Sequence, residues 1–283
     1  MMTMRFKGAG ALKRTVIILV QILLIGYVLL ILYPLFNMLM SSFKRSKDIL
    51  MHPFDLPTEF EFGNYVKVWV DRGFGRYFYN SLWITCSAMA MVLLFGSLAA
   101  YGISRFRFRG NILVYMLFLS GIMLPLKAAV IPLFQIVKAL GMYDKPIGVI
   151  CIFIAMGLPS TVFILAGSMR TIPSSLSEAA TIDGCGELRI YRRIVMPVIM
   201  PSVALVTIYN AVPIWNDFFF PLVFIKSDKF KTLPLGLTSF MGQYATAWDM
   251  LFTGLAIAIV PVMILYLSMS KYFIKGMTAG AIK

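Results

Sequence analysis

Charge is scarce in this chain. Only 13% of its 283 residues are Asp, Glu, Lys or Arg, against 60% hydrophobic, a balance that excludes an ordinary soluble globular protein. Histidine occurs once, as His52, with no set of partner ligands nearby in sequence, so no metal site is expected. The three cysteines, Cys86, Cys151 and Cys185, have neither disulfide nor metal spacing. Acidic residues are the rarer charge, 12 against 26 Lys and Arg for a net +14. Such a surplus could signal nucleic acid, but the basic residues form short clusters flanking apolar runs, and no aromatic–basic platform appears. Also absent are a Gly-x4-Gly-Lys-Ser/Thr phosphate loop, a His-Glu-x-x-His zinc helix and a Gly-x-Ser-x-Gly elbow. No residue is assigned a catalytic role, no cofactor or metal is expected in this chain, and it has no nucleotide-hydrolysing equipment of its own.

What the sequence has instead is apolar length. A run from Thr15 to Met40, preceded by Arg5, Lys7, Lys13 and Arg14, is long enough to cross a ~30 Å hydrocarbon core and too long for a cleaved signal peptide. Further spans are predicted at about Asn80–Ser104, Asn111–Phe134, Pro146–Ala166, Val198–Ile225 and Leu251–Ile274. The expected fold is therefore an all-α integral membrane protein of six transmembrane helices with both termini cytoplasmic. Residues 1–14 and 276–283 are then cytoplasmic tails, 15–275 the membrane domain, and 169–197 a cytoplasmic loop within it. Short internal segments such as Arg105-Phe-Arg107-Phe-Arg109 are strongly basic, as the orientation rule for short loops requires. Residues 41–79 and 226–250 are read as external loops. Pro125, Pro132, Pro159, Pro201, Pro213 and Pro221 each remove a backbone donor from a span, Pro125 and Pro132 breaking the third; kinks for packing and a path that opens and closes are compatible readings. Lys127 lies towards the outer end of the third span, where its stem can snorkel or serve an outer gate.

One polar stretch stands between two greasy ones, from Pro173 to Pro197. It reads as a short helix, a glycine break at Gly184 and Gly186, and a second short helix closed by Pro197. Ser175 and Glu178 stand in capping-box spacing. Leu176, Ala179, Ala180 and Asp183 share one side of the first helix, a small-residue surface that another backbone could approach closely. Leu188, Tyr191, Ile194 and Val195 mark one side of the second helix, Arg189, Arg192 and Arg193 another. Glu178-Ala179-Ala180, Asp183-Gly184, Tyr191, Ile194, Pro197 and Pro201 at this spacing resemble the EAA loop of ABC importer permeases, and Ile182-Asp183-Gly184 resembles the carbohydrate-importing, maltose-type branch. Cys185 stands where that family usually carries alanine.

A second constellation lies in the fifth span. Tyr209, Asn210, Trp215, Asn216 and Asp217 combine aromatic faces, which suit sugar C–H surfaces, with amide and carboxylate groups that suit hydroxyls. Helix–helix hydrogen bonding within a bundle is the plainer reading of any one of them. Trp215-Asn216-Asp217-Phe218 is similar to a Trp-Asn-acid-Phe pattern of carbohydrate permeases.

The resemblance implies the type I ABC importer permease fold and one half of a heterodimer with a sister permease. It implies a homodimeric ATPase that binds the ATP and Mg, an extracytoplasmic sugar-binding protein meeting the outer face, and a place in a bacterial or archaeal cell membrane. Glu178, Ala179, Ala180, Asp183, Gly184, Tyr191 and Pro197 would couple to that ATPase; Tyr209, Asn210, Trp215, Asn216 and Asp217 would line the sugar path. Other cargoes (polyamine, phosphonate, metal chelate) fit the same class. An ion-driven secondary transporter would need relay residues the spans scarcely offer beyond Asp217 and Lys127.

Overall fold

The computed structural model describes residues 5–125, 127–242 and 245–279. Apart from an isolated bridge between Met241 and Thr246, the described residues are helical or irregular. The chain divides into two compact units.

The first unit is the chain up to Arg72 together with Phe240–Ile257. Helix α1 (Arg5–Ser41) takes in the described part of the predicted N-terminal tail. An 18-residue window within its stretch Val16–Ser41 has a mean hydropathy of 2.9, with none of that window buried. A helix apolar all round belongs in hydrocarbon or against a partner. The predicted external loop carries two short helices, α2 (Ser46–Met51) and α3 (Gly63–Val66), the latter continuing as a π-helical turn, Lys67–Asp71. The entry of this loop is tied down by the buried Asn64, whose Nδ2 donates to the carbonyls of Ser42 (3.3 Å) and Lys44 (3.0 Å). Thr253 Oγ1 donates to the same Ser42 carbonyl (3.0 Å), and Ser46 Oγ to Asp249 (2.6 Å). Arg45 pairs with Glu59 and Glu61, which pushes its guanidinium pKa up, the Glu61 hydrogen bond contributing most.

The second unit, Gly73–Ser239 with the chain from Ala258, holds the core. It contains α4 (Phe74–Arg105), α5 (Asn111–Met123), α6 (Val130–Ala139), α7 (Pro146–Arg170), α8 (Ser174–Ile182), α9 (Glu187–Ile190), α10 (Met196–Val198), α11 (Met200–Asn216), α12 (Phe219–Phe224) and α13 (Leu233–Leu237). α14 (Trp248–Ala279) runs from the first unit into the second and through the start of the predicted C-terminal tail; residues 280–283 lie outside the described residues. α4 and α7 approach closely at two glycines. A Cβ on Gly157 would sit 2.8 Å from Val92, and one on Gly96 would collide with Thr161. Small residues are what let membrane helices touch backbone to backbone. Around this contact lie two apolar clusters. One gathers Ile84, Met89, Phe153, Ile214, Phe220 and Phe224; the other gathers Tyr101, Leu165, Ile190, Tyr191, Val195 and Val206.

Among the described residues, four helical stretches are long and apolar enough to cross a membrane: Val16–Ser41, Phe74–Arg105, Pro146–Arg170 and Trp248–Lys271. A fifth arises if Glu187–Val198 and Met200–Asn216, bent by 76°, count as one span. The predicted third span is broken in two. Pro125 biases its predecessor away from helix, and Leu124 is accordingly extended (φ −77°, ψ 122°), leaving α5 and α6 as shorter apolar helices. The predicted fifth span is likewise interrupted between α11 and α12, where Asp217 is extended.

Two carboxylates hold the loops of this unit. Asp144, with φ +58°, accepts from the backbone N–H groups of Lys226 (2.8 Å) and Ser227 (2.7 Å) and from the Ser227 hydroxyl, which fixes the α6–α7 turn to the segment after α12. The Ser227 hydroxyl, then its amide, holds the Asp144 pKa below the ordinary carboxylate range. Asp228 pairs with Lys231 (2.8 Å) and accepts from Tyr77 (2.9 Å), and its pKa is likewise lowered, chiefly by Lys231.

Candidate functional site

The polar stretch folds as two helical segments around one glycine, with a different entry from the one its spacing suggests. α8 starts at Ser174 behind Pro173, which is extended (φ −57°, ψ 134°) and offers no side-chain cap. Ser175 thus falls inside the first turn, and the capping box with Glu178 does not form. The exit is a Schellman motif: Gly184 takes φ +75°, its N–H donates to Thr181 O (3.0 Å), and Cys185 N–H donates to Ala180 O (2.9 Å). This geometry needs a residue tolerant of the left-handed region, which explains Gly184. Gly186 is extended (φ −72°, ψ 159°) and takes no part in the reversal.

The structure separates the predicted coupling residues into two groups. Glu178, Ala179, Asp183 and Gly184 are exposed, beside Leu176 and Ile182, the latter 86% exposed. Ala180 faces the other way: only 7% exposed, it packs into the second apolar cluster of its own chain together with Ile190 and Tyr191. Its small size lets α8 lie close on the bundle. Leu188, 65% exposed, adds another uncovered apolar side chain, and Arg189, Arg192 and Arg193 border a shallow, basic depression beside it.

The second segment is not one regular helix ended by proline. α9 passes into a π-helical turn, Tyr191–Val195, closed by the Met196 N–H on Tyr191 O, and Pro197 lies within α10. Proline has no N–H to give and crowds the carbonyl a turn back, which the wider π turn just ahead accommodates. The bend itself falls at Ile199 (φ −88°, ψ 10°). Ahead of it, the segment is laced to α4. Tyr191 Oη and Ser97 Oγ are 2.7 Å apart, Tyr101 Oη donates to Glu187 Oε2 (2.5 Å), and Arg105 Nε lies 4.0 Å from the same carboxylate. The Tyr101 and Tyr191 rings meet at 5.2 Å.

The fifth-span residues are also divided. A cavity of about 540 Å³ is lined by Tyr209, Asn210 and Asp217 of the predicted set, with Lys127 and Ser160. Asn210 is buried and its amide is fully engaged: Nδ2 donates to Val206 O (3.0 Å) and Thr161 Oγ1 (3.3 Å), and Oδ1 accepts from Ser160 Oγ (3.2 Å). Asp217 Oδ1 accepts the Phe220 N–H (2.8 Å), the first turn of α12. Trp215 turns away; its Nε1 donates to Ala258 O (3.0 Å) and its ring meets Phe78 edge-on. Asn216 is exposed outside the cavity lining. Lys127 sits in the break between α5 and α6 with its ammonium 5.7 Å from the Phe219 ring centre.

Sequence reasoning gave no role to Ser97, Tyr101 or Glu187. Tyr101 and Glu187 are 86 positions apart, and no local pattern connects them; only a tyrosine near a span end and a carboxylate just past a glycine break were visible. Among the described residues no cluster could hold a metal ion.

The chain is similar to known proteins in sequence and in fold. Residues 62–279 match the sequence profile described as binding-protein-dependent transport system inner membrane component. The diacetylchitobiose uptake system permease protein of Streptomyces coelicolor is 32% identical over 283 aligned residues, covering 98% of this chain and 92% of that one. The multiple sugar-binding transport system permease protein of Streptococcus mutans is 37% identical over 259 residues, covering 90% and 93%. In fold, the chain is similar to a solved bacterial ABC transporter involved in the import of the acidic polysaccharide alginate, with a TM-score of 0.79 at 24% identity over 92% of this chain and 97% of that chain.

Proposed function

We propose, since the chain belongs to the family of binding-protein-dependent transport system inner membrane components, that it is a permease subunit of an ATP-driven importer of oligosaccharides or related carbohydrates. The observation that carries this reading is the exposed, Schellman-capped α8 with its uncovered Leu176, Glu178, Ala179, Asp183 and Ile182, in a chain that carries no phosphate loop of its own. Exposed apolar side chains beside a rigid turn suit seating in a groove of a partner ATPase dimer; Ala180 and Tyr191 seat the loop on its own bundle instead. Six spans with both termini inside, α5 and α6 forming one broken span, place this loop in the cytoplasm and give the chain its multi-pass place in a bacterial or archaeal cell membrane.

The path for sugar is read in the cavity lined by Tyr209, Asp217 and Lys127. It offers an aromatic face, a carboxylate acceptor and an ammonium donor, the groups a polyhydroxylated ring uses. Asn210 and Trp215 support it by bracing α11, and Asn216 lies beside it. A sister permease would complete the path, and an extracytoplasmic sugar-binding protein would deliver cargo. Relatives whose names state a sugar cargo support carbohydrate over polyamine or phosphonate.

The test is uptake in proteoliposomes containing this chain with its co-purifying ATPase, permease and binding protein. Accumulation of labelled oligosaccharide is expected only with internal ATP and loaded binding protein. Uptake that follows an ion gradient without ATP would remove the proposal.

A further inference from the structure

The connections from the loop of α8 and α9 to its two flanking spans, α7 and α11, are covalent. A third connection is not, and it goes to α4. Ser97, Tyr101 and Arg105 follow one another at four-residue intervals on one face of α4, and Tyr191 and Glu187 stand at the same interval on the loop. The two rows run antiparallel, so Ser97 meets Tyr191, Tyr101 meets both Tyr191 and Glu187, and Arg105 meets Glu187. Ser97 also turns its hydroxyl back on the Leu93 carbonyl, so the Tyr191 hydroxyl donates in the Ser97–Tyr191 bond. The inner end of the ladder is buried and tyrosine-lined, while the outer end is a carboxylate whose side chain is 48% exposed. The π turn that begins at Tyr191 and the 76° bend after Val198 follow directly. The Ser97–Tyr191 and Tyr101–Glu187 hydrogen bonds thus tie α9 and the start of the π turn to α4 ahead of the bend.

We propose that Tyr101 and Glu187 are positioning residues for energy coupling: their hydrogen bond transmits displacement of the α8–α9 loop to α4 as well as to α11. The inference rests on the permease reading above. Force arriving at the exposed face of α8 reaches Glu187 across the rigid Gly184 turn. The charged carboxylate holds the Tyr101 hydroxyl, and the tyrosine pair carries the push into the close α4–α7 contact at Gly96 and Gly157. Without the bond, the loop can still bind its motor, yet slips against α4.

The experiment uses the whole transporter in proteoliposomes, with ATP hydrolysis and uptake of a panel of tritium-labelled di- and trisaccharides measured side by side. Tyr101→Phe keeps the rings against Tyr191 and Phe106 and removes only the hydroxyl. Sugar taken up per ATP is expected to fall about tenfold, the scale of one lost hydrogen bond to a charged group, with hydrolysis and the KM for loaded binding protein unchanged. Glu187→Gln, which keeps an oxygen for Tyr101 but loses the charge facing Arg105, should fall less. The double variant should fall no further than Tyr101→Phe, as for partners in one interaction. An unchanged ratio in Tyr101→Phe, additive losses in the double variant, or hydrolysis and uptake lost together with assembly would each overturn the inference. A wild-type complex without ATP-dependent uptake would instead remove the permease reading.

Discussion

At the scale of single residues, chemistry that looks similar in sequence is put to different uses. Asp217 and Asp144 are both carboxylates beside a helix or turn, but one opens onto a cavity and the other is spent on three donors. Asp217→Asn retains an oxygen for the Phe220 N–H and loses the charge, so transport should drop while the complex still assembles; uptake kinetics beside size-exclusion profiles check this. Asp144 should behave in the opposite way. Its lowered pKa means the folded state favours the ionised form, so its contribution is complete above the unfolded value of about 4 and disappears as pH falls through the folded value. Thermal unfolding of the purified protein should show Asp144→Ala lowering Tm more than Asp144→Asn at pH 7, since asparagine tolerates the left-handed backbone and keeps an acceptor. The gap from wild type should shrink towards pH 3. A constant gap would mean the charge is irrelevant to the anchor.

At the scale of elements, the decisive contact is between α4 and α7. Both helices carry glycine where the other presents a β-branched side chain, Gly157 against Val92 and Gly96 against Thr161. Gly157→Leu has nowhere to go without separating the pair, and overpacking of this kind costs about 1–3 kcal/mol. The expected result is reduced yield of folded protein and a lower melting temperature, with Gly167→Leu, whose Cβ meets nothing within 4 Å, as the neutral control. Equal effects from both substitutions would show that the contact is looser than drawn. The loop elements follow another rule. α8, α9 and the π turn are too short to stand alone, and they hold their shape through Ala180, Ile190, Tyr191 and Val195, which are buried against the spans. This burial seats the loop on its own bundle instead of leaving it a free tether.

At the scale of the whole molecule, the orientation proposed from the basic clusters has a direct test. In a variant with Cys86, Cys151 and Cys185 replaced by serine, Ile182→Cys should react with a membrane-impermeant maleimide only after permeabilisation. Lys229→Cys, in the exposed segment after α12, should react in intact cells. Labelling in the reverse pattern would invert the topology and move α8 to the outer face.

The chain of amino acids settled much of this by itself. Long apolar runs with few charges admit only membrane helices, because hydrocarbon leaves no other partner for the backbone. Gly184 fixed the loop's turn, since a left-handed residue at a helix end is a local requirement, and Pro125 marked the break in the third span for the same kind of local reason. Tertiary structure decided the rest. Only packing could turn Ala180 inward and leave Ala179 out, point Trp215 away from the cavity that Tyr209 and Asp217 line, and bring Glu187 to a tyrosine 86 positions earlier. Periodicity assigns a residue to a face; which neighbour that face meets depends on how distant helices cross, and no window of sequence contains that information.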